Sequence, residues 1–190
     1  MKAIGIDLDD TIADFTPVWL RVIEDTTGVK INYSDIKMWH VENQFKFLDK
    51  NAIISALKVA WDERHSEIEI IDRHIPSIID NISQFYKIYI TTASLASDST
   101  IKEWLSLNGI RYNRLVHVAH HSEKMMEEVY AYVDDNPMMA EEFTSAGKKV
   151  VLIRRPWNEG TKEKENLLIA DNWDEVEHLL VNLADRRPDE

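Results

Sequence analysis

The sequence contains no cysteine and is poor in glycine and proline, with five of each in 190 residues. Without cysteine there is no disulfide and no thiolate chemistry, which fits a reducing compartment, so we expect a cytoplasmic protein. No apolar run approaches the roughly 20 residues that a transmembrane helix needs. The short apolar start at 3–6 leads directly into acidic residues, so we expect neither a signal peptide nor a membrane partner.

Basic residues are also scarce: 22 Lys and Arg stand against 34 Asp and Glu, giving a formal net charge of -12. This balance disfavours nucleic acid as a partner, because binding a phosphate backbone requires clustered Lys and Arg. A small phosphorylated substrate stays possible, since one lysine and one bound cation can set the local sign of the charge. The length fits one domain, or a core domain with a small insert.

Acidic and hydroxyl residues follow three short apolar runs that predict buried strands. Residues 3–6 precede Asp7 and Asp9, residues 87–90 precede the pair Thr91-Thr92, and residues 130–133 precede the pair Asp134-Asp135. Because open α/β sheets bind ligands at the carboxyl edge of their strands, we expect these side chains to converge. Burying several acids together requires a cation, a shared proton or covalent chemistry.

Strands alternating with helices predict an α/β fold with a parallel, Rossmann-like sheet. Further strands are predicted at 115–119 and at 150–153, the latter as the last strand of the core. The long interval before residue 87 exceeds one crossover helix, so we assign 1–14 and 75–190 to the core domain and 15–74 to a small helical cap. The tail 186–190 is expected to fray. Helices are predicted over 15–24, 52–61, 76–82, 97–108, 137–146 and 172–183.

The motifs and their order resemble the haloacid dehalogenase superfamily of phosphotransferases, along nearly the whole chain. Within it, the sequence is most similar to the 5'-nucleotidases of the deoxyribonucleotidase (type C) family. The residues that carry the resemblance are Asp7-Leu8-Asp9-Asp10-Thr11, Phe15, Met38-Trp39, Trp61, Thr91-Thr92, Lys124, Asp134-Asp135 and Arg155-Pro156-Trp157-Asn158. Asp10 departs from the pattern, which commonly has Gly there, and we expect Asp10 to cap the following helix.

The resemblance implies a role for each matching residue. Asp7 would be the nucleophile, which forms an aspartyl-phosphate. Asp9 would be the general acid and base, and its backbone carbonyl would bind the metal. Thr91 would bind a phosphoryl oxygen and Lys124 would neutralise its charge. Asp134 would bind Mg²⁺ together with Asp7, because Mg²⁺ prefers carboxylate oxygens, phosphate and water.

Further residues are assigned to supporting roles. Asp135 would act through a water or orient Lys124. Thr92 is a second candidate for substrate binding. Phe15, Trp39 and Trp61 match the positions where the family walls a nucleobase pocket, and stacking is worth about 1–3 kcal/mol per base. The alternative for these aromatics is packing within the cap.

The main hypothesis is therefore a Mg²⁺-dependent 5'(3')-deoxyribonucleotidase with a small-molecule nucleotide substrate. The sequence leaves open whether the protein forms a homodimer. A phosphatase of sugar phosphates or phosphoglycolate is the alternative within the superfamily. A receiver-like phosphorylation switch is disfavoured by the insert and by the second acid, and an inactive binding protein by the intact motifs. A zinc site at His117, His120 and His121 is disfavoured because cysteine is absent and hard carboxylates suit Mg²⁺.

Overall fold

The computed structural model describes residues 1–185, and within them six strands form one parallel sheet. The strands are β1 (Ala3–Asp7), β2 (Lys87–Thr92), β3 (Arg114–His117), β4 (Val129–Asp134), β5 (Lys149–Ile153) and β6 (Leu167–Ala170). Their order across the sheet is β3-β2-β1-β4-β5-β6. The order reverses between β1 and β4, which is where doubly wound sheets bind ligands. The predicted α/β fold class is confirmed.

Seven α-helices accompany the sheet in the described part of the chain. They are α1 (Phe15–Thr27), α2 (Val41–Gln44), α3 (Lys50–Arg64), α4 (Ile75–Ile82), α5 (Asp98–Leu107), α6 (Pro137–Ser145) and α7 (Trp173–Asp185). None of the helices over residues 1–185 has the length and apolar character to cross a membrane. The division of the chain into a core and a cap at 15–74 stays a prediction, although α1, α2 and α3 do lie between β1 and β2.

Side-chain caps begin α3 and α5. The Asp49 carboxylate accepts hydrogen bonds from the backbone N–H groups of Asn51 and Ala52 at 2.8 and 3.1 Å, which starts α3. The hydroxyl of Ser97 accepts from Thr100 at 3.2 Å and starts α5. Such caps satisfy N–H groups that the first helical turn leaves unpaired.

The strand prediction is wrong at one edge of the sheet. Residues 150–153 do not form the last strand, because β6 pairs in parallel with β5, with Leu168 opposite Val151. This strand is only four residues long and follows a polar stretch, so its apolar signal is weak. The predicted strand at 115–119 is shifted and spans Arg114–His117. The frayed tail predicted at 186–190 lies outside the described residues.

Candidate active site

Three buried carboxylates meet at the centre of the sheet's carboxyl edge. Asp7 ends β1 and Asp134 ends β4, and these strands are adjacent, with Ile6 opposite Val133. Asp7, Asp134 and Asp135 each offer an oxygen within 4.8 Å of the others, and all three side chains are buried. Among residues 1–185, this is the one group of His, Cys, Asp or Glu side chains close enough to share a metal ion. The predicted convergence of Asp7 with the Asp134-Asp135 pair is therefore observed.

Lys124 supplies the positive charge beside these acids. It ends a short 3₁₀ turn, His121–Lys124, and is only 1% exposed. Its ammonium donates to Asp7 Oδ1 and lies 3.5 Å from Asp134 Oδ2. Burial would lower the pKa of Lys124, but the carboxylates of Asp134 and Asp7 outweigh it and raise the pKa, so the lysine is charged.

Tyr132 of β4 holds the turn that carries Lys124. Its hydroxyl donates to the Lys124 carbonyl at 3.1 Å and accepts from the Met126 N–H at 2.7 Å. The Tyr132 ring lies against Gly5, where an added Cβ would be 2.7 Å from the ring. Glycine at position 5 therefore leaves the space that Tyr132 needs to reach the turn.

The charge balance of the cluster suits a divalent cation. Burial raises the pKa of Asp7, Asp134 and Asp135, to about 6 for Asp134, and neighbouring carboxylates add to the effect at each of them. One lysine does not neutralise three acids. Carboxylate oxygens are the hard ligands that Mg²⁺ prefers, so the donor set fits this ion.

Asp9 lies beside the cluster, partly buried, and receives a hydrogen bond from the insert. The indole N–H of Trp61 on α3 donates to Asp9 Oδ1 at 2.8 Å. Burial, together with the charges of Asp7 and Asp10, raises the pKa of Asp9 to about 8. The raised pKa favours the protonated form of the Asp9 carboxyl near neutral pH, and this is the form that a general acid needs.

The two threonines that end β2 differ in their surroundings. Thr91 is opposite Asp7 in the register of β1 and β2, and its buried hydroxyl has no hydrogen-bond partner within residues 1–185. An unpaired buried hydroxyl is uncommon and is available to a ligand oxygen. The Thr92 hydroxyl instead accepts from the backbone N–H of Ser94 at 3.0 Å, so it shapes the loop after β2.

Asp10 caps α1, as expected. Its carboxylate accepts from the N–H and the hydroxyl of Thr16, at 2.9 and 2.6 Å. Its backbone has a φ of 56°, in the left-handed region that non-glycine residues seldom adopt. The Arg155 guanidinium donates to the Asp10 carbonyl at 2.7 Å and ties this turn to the loop after β5.

The loop after β5 also holds Asp135, and we did not predict this role. The Trp157 indole N–H donates to Asp135 Oδ2 at 2.8 Å, and the Asn158 amide donates to its backbone carbonyl at 2.8 Å. The Thr11 hydroxyl lies 3.4 Å from Asp135 Oδ1. The side-chain hydrogen bonds of Asp135 go to these groups and not to Lys124. The signal available in the sequence was Trp157, in the loop that follows the strand ending at Ile153.

A cavity of about 320 Å³ opens next to the acids. Trp39 is partly exposed in its wall, with its ring centroid 5.6 Å from that of His121 and 6.3 Å from that of Trp157. Phe15 and Trp61 also line it, but they are only 6% and 1% exposed. The predicted site residues that border the cavity are Asp7, Asp9, Phe15, Trp39, Trp61 and Lys124.

The histidines of the disfavoured zinc site, His117, His120 and His121, lie outside the candidate metal-binding group. Both ring nitrogens of His117 already have partners, with Nδ1 2.6 Å from Asp98 Oδ1 and Nε2 2.8 Å from the Ser94 carbonyl oxygen. His121 lines the cavity and packs against Trp39. The described residues therefore offer carboxylates, and not a histidine cluster, as candidate metal ligands.

The fold is that of the haloacid dehalogenase-like hydrolases. A hydrolase of the haloacid dehalogenase-like family from Streptococcus pneumoniae superposes with a TM-score of 0.66 at 18% identity, covering 94% of this chain and 98% of that one. A predicted phosphoglycolate phosphatase from Haemophilus somnus gives 0.62 at 14% identity, covering 94% and 97%. The superfamily fold inferred from the motifs is thereby confirmed.

One curated relative is similar in sequence over nearly the whole chain. It is a 5'(3')-deoxyribonucleotidase from Clostridium acetobutylicum, 25% identical over 187 residues, covering 96% of each chain. No family model matches the sequence.

Proposed function

We propose that this protein is a Mg²⁺-dependent phosphatase that hydrolyses deoxynucleoside monophosphates through an aspartyl-phosphate. The observation that carries the proposal is the cluster of Lys124 with Asp7 and Asp134 at the switch point of the sheet. Asp7 and Lys124 of this cluster line the cavity. Asp7 and Asp134, with the backbone carbonyl of Asp9, would hold Mg²⁺, and Mg²⁺ would stabilise negative charge on the phosphoryl oxygens.

The chain's own groups account for both steps of the hydrolysis. An Asp7 oxygen attacks phosphorus, and the bond between phosphorus and the ester oxygen breaks. Asp9 gives its proton to that oxygen, which leaves as an alcohol. A water then attacks the aspartyl-phosphate and gives a proton to Asp9, so that phosphate is released and both acids are restored. Lys124, which lines the cavity, and Thr91, whose buried hydroxyl has no hydrogen-bond partner within residues 1–185, would bind phosphoryl oxygens.

The cavity supports a nucleotide substrate. Its volume of about 320 Å³ is in the range of small-molecule sites. Trp39, at the cavity wall, offers a partly exposed ring for stacking. The relative from Clostridium acetobutylicum, which bears the name 5'(3')-deoxyribonucleotidase, supports the same substrate class.

A phosphatase of smaller metabolites is the second candidate. The near-complete burial of Phe15 and Trp61 favours it, because these two rings offer little surface to a base. A receiver-like switch fits less well, because the observed strand order differs from the 2-1-3-4-5 order of flavodoxin-like receivers.

Phosphate release from a panel of substrates tests the proposal. The panel contains deoxy- and ribonucleoside monophosphates, sugar phosphates and phosphoglycolate, each with Mg²⁺ and with excess chelator. We expect the highest kcat/KM for a deoxynucleoside monophosphate, and loss of activity in chelator. A preference for sugar phosphates or phosphoglycolate would support the second candidate, and full activity in chelator would contradict the metal site.

A further inference from the structure

We propose that Trp61 is a positioning residue, which orients the Asp9 carboxyl for proton transfer through its indole N–H. The hydrogen bond from Trp61 Nε1 to Asp9 Oδ1 is 2.8 Å long and joins residues 52 positions apart. Trp61 belongs to α3, in the segment between β1 and β2, whereas Asp9 follows β1. The inference rests on the proposed phosphatase function and assigns Trp61 a role other than that of a stacking wall.

Packing on two sides fixes the direction of the Trp61 N–H. The ring of Phe15 stacks on Trp61 with a centroid distance of 5.9 Å and an interplanar angle of 13°. The ring of Trp104 meets it edge-on at 6.0 Å. Because Trp61 is 1% exposed, the indole is held in one orientation. A donor held in this way restricts the Asp9 carboxyl to the rotamer that accepts its hydrogen bond.

The hydrogen bond from Trp61 gives the two carboxyl oxygens of Asp9 different roles. Oδ1 accepts from the indole, and within residues 1–185 no other side chain hydrogen-bonds this carboxyl. Asp9 borders the cavity, so Oδ2 is left to exchange a proton with the reacting groups. In the first step that proton goes from Oδ2 to the leaving oxygen, and in the second step Oδ2 receives one from the attacking water.

A pair of base-free esters separates this role from base stacking. Phenyl phosphate and p-nitrophenyl phosphate share a ring, but phenolate is the far more basic leaving group and needs protonation by Asp9 much more. We expect Trp61→Phe, which keeps a ring and removes the N–H, to lower kcat/KM for phenyl phosphate about tenfold, a part of the roughly 10²–10⁴-fold that general acid catalysis contributes. The value for p-nitrophenyl phosphate should change much less.

Trp104→Phe is the matched control. Trp104 is also buried in this aromatic group, but its indole N–H donates to the Ile68 carbonyl at 2.8 Å and not to Asp9. We expect Trp104→Phe to alter both esters equally. In an Asp9→Asn background, Trp61→Phe should cause no further loss, because a residue that acts through Asp9 has nothing left to position.

The outcomes decide the role independently of the substrate. Trp61 only supports the packing if Trp61→Phe lowers kcat/KM equally for both esters. The same conclusion holds if Trp61→Phe lowers kcat/KM by the same factor in the Asp9→Asn background as in the wild type. If Trp61→Phe does not unfold cooperatively, Trp61→Met replaces it, and if neither variant folds, the positioning role is rejected.

A wild-type protein that hydrolyses the esters but no nucleotide would contradict the proposed substrate and leave the role of Trp61 intact. A wild-type protein without activity on any ester would contradict the proposed function and this role with it.

Discussion

Lys124 and Asp7 form a buried ion pair although 117 positions separate them in the sequence. Each side chain is at most 5% exposed. The ammonium also lies 3.5 Å from Asp134, so one cation serves two carboxylates, while Asp135 forms no salt bridge with any residue of 1–185. Burying charge in excess of its partners is costly, and the folded protein therefore gains from protons or from a divalent cation at this site.

The metal-free protein should lose stability as pH rises. Burial raises the pKa of Asp134 to about 6 and that of Asp9 to about 8, from an ordinary value of 3.8. The folded state then binds more protons than the unfolded chain between roughly pH 4 and pH 8, so the free energy of unfolding falls across that window. In chelator we expect a higher Tm at about pH 5 than at about pH 8. Asp134→Asn should reduce the difference, and a Tm that rises with pH would contradict the raised pKa values.

Removing the Lys124 ammonium should make the free energy of unfolding fall more steeply as pH rises. Lys124→Met leaves the buried carboxylates without a cation, and breaking a buried pair costs about 3–5 kcal/mol. The loss of stability should be greater at high pH, where the acids are ionised. Phosphate release should be lost at every pH. Lys87→Met is the control, because Lys87 is an exposed lysine at the start of β2. Equal effects of the two variants on Tm would show that Lys124 does not compensate the acids.

Trp39 should contribute to nucleotide binding more than to chemistry. Trp39→Ala removes the partly exposed ring at the cavity wall. The KM for a deoxynucleotide should rise by the factor that corresponds to losing one base stack of about 1–3 kcal/mol, while kcat stays nearly unchanged. The kinetics of p-nitrophenyl phosphate should change little. Phe47→Ala, a 68% exposed aromatic in the same segment, is the control. If Trp39→Ala impairs both substrates equally, the ring only supports the packing of this segment.

Gly5→Ala should disturb the turn that carries Lys124. The added Cβ would lie 2.7 Å from the Tyr132 ring, so the ring has to move, at a cost of about 1–3 kcal/mol in the free energy of unfolding. Because the Tyr132 hydroxyl holds the Lys124 carbonyl, we also expect kcat to fall. Gly160→Ala is the control, since nothing lies within 4 Å of its added Cβ. Full activity in Gly5→Ala would show that the turn does not depend on Tyr132.

The strand-end residues could be predicted because parallel strands present their carboxyl ends at one edge. An apolar run ending in Asp7 and another ending in Asp134 suffice for that inference, once the sheet is assumed to be parallel. The spacing of Lys124 and Asp134 in the sequence does not predict that Lys124 forms an ion pair with Asp7. Only the resemblance to known motifs indicated a role for this lysine.

The hydrogen bonds across the site could not be predicted in the same way. Helical spacing shows which face of α3 is buried, but it does not show that the Trp61 N–H meets Asp9, 52 positions away. The contact between Trp157 and Asp135 likewise depends on the path of the loop after β5. Pairs of this kind are determined by tertiary packing, which a local pattern does not contain.

The most direct test of the covalent mechanism is a crystal structure of the protein with Mg²⁺ and beryllium fluoride, which mimics a phosphoryl group bound to a carboxylate. We predict that beryllium is bonded to an oxygen of Asp7, with a fluoride near Lys124 and the Mg²⁺ in contact with Asp134. A phosphoryl mimic bonded to Asp9, Asp134 or Asp135 while Asp7 stays free would contradict the assignment of Asp7 as the nucleophile.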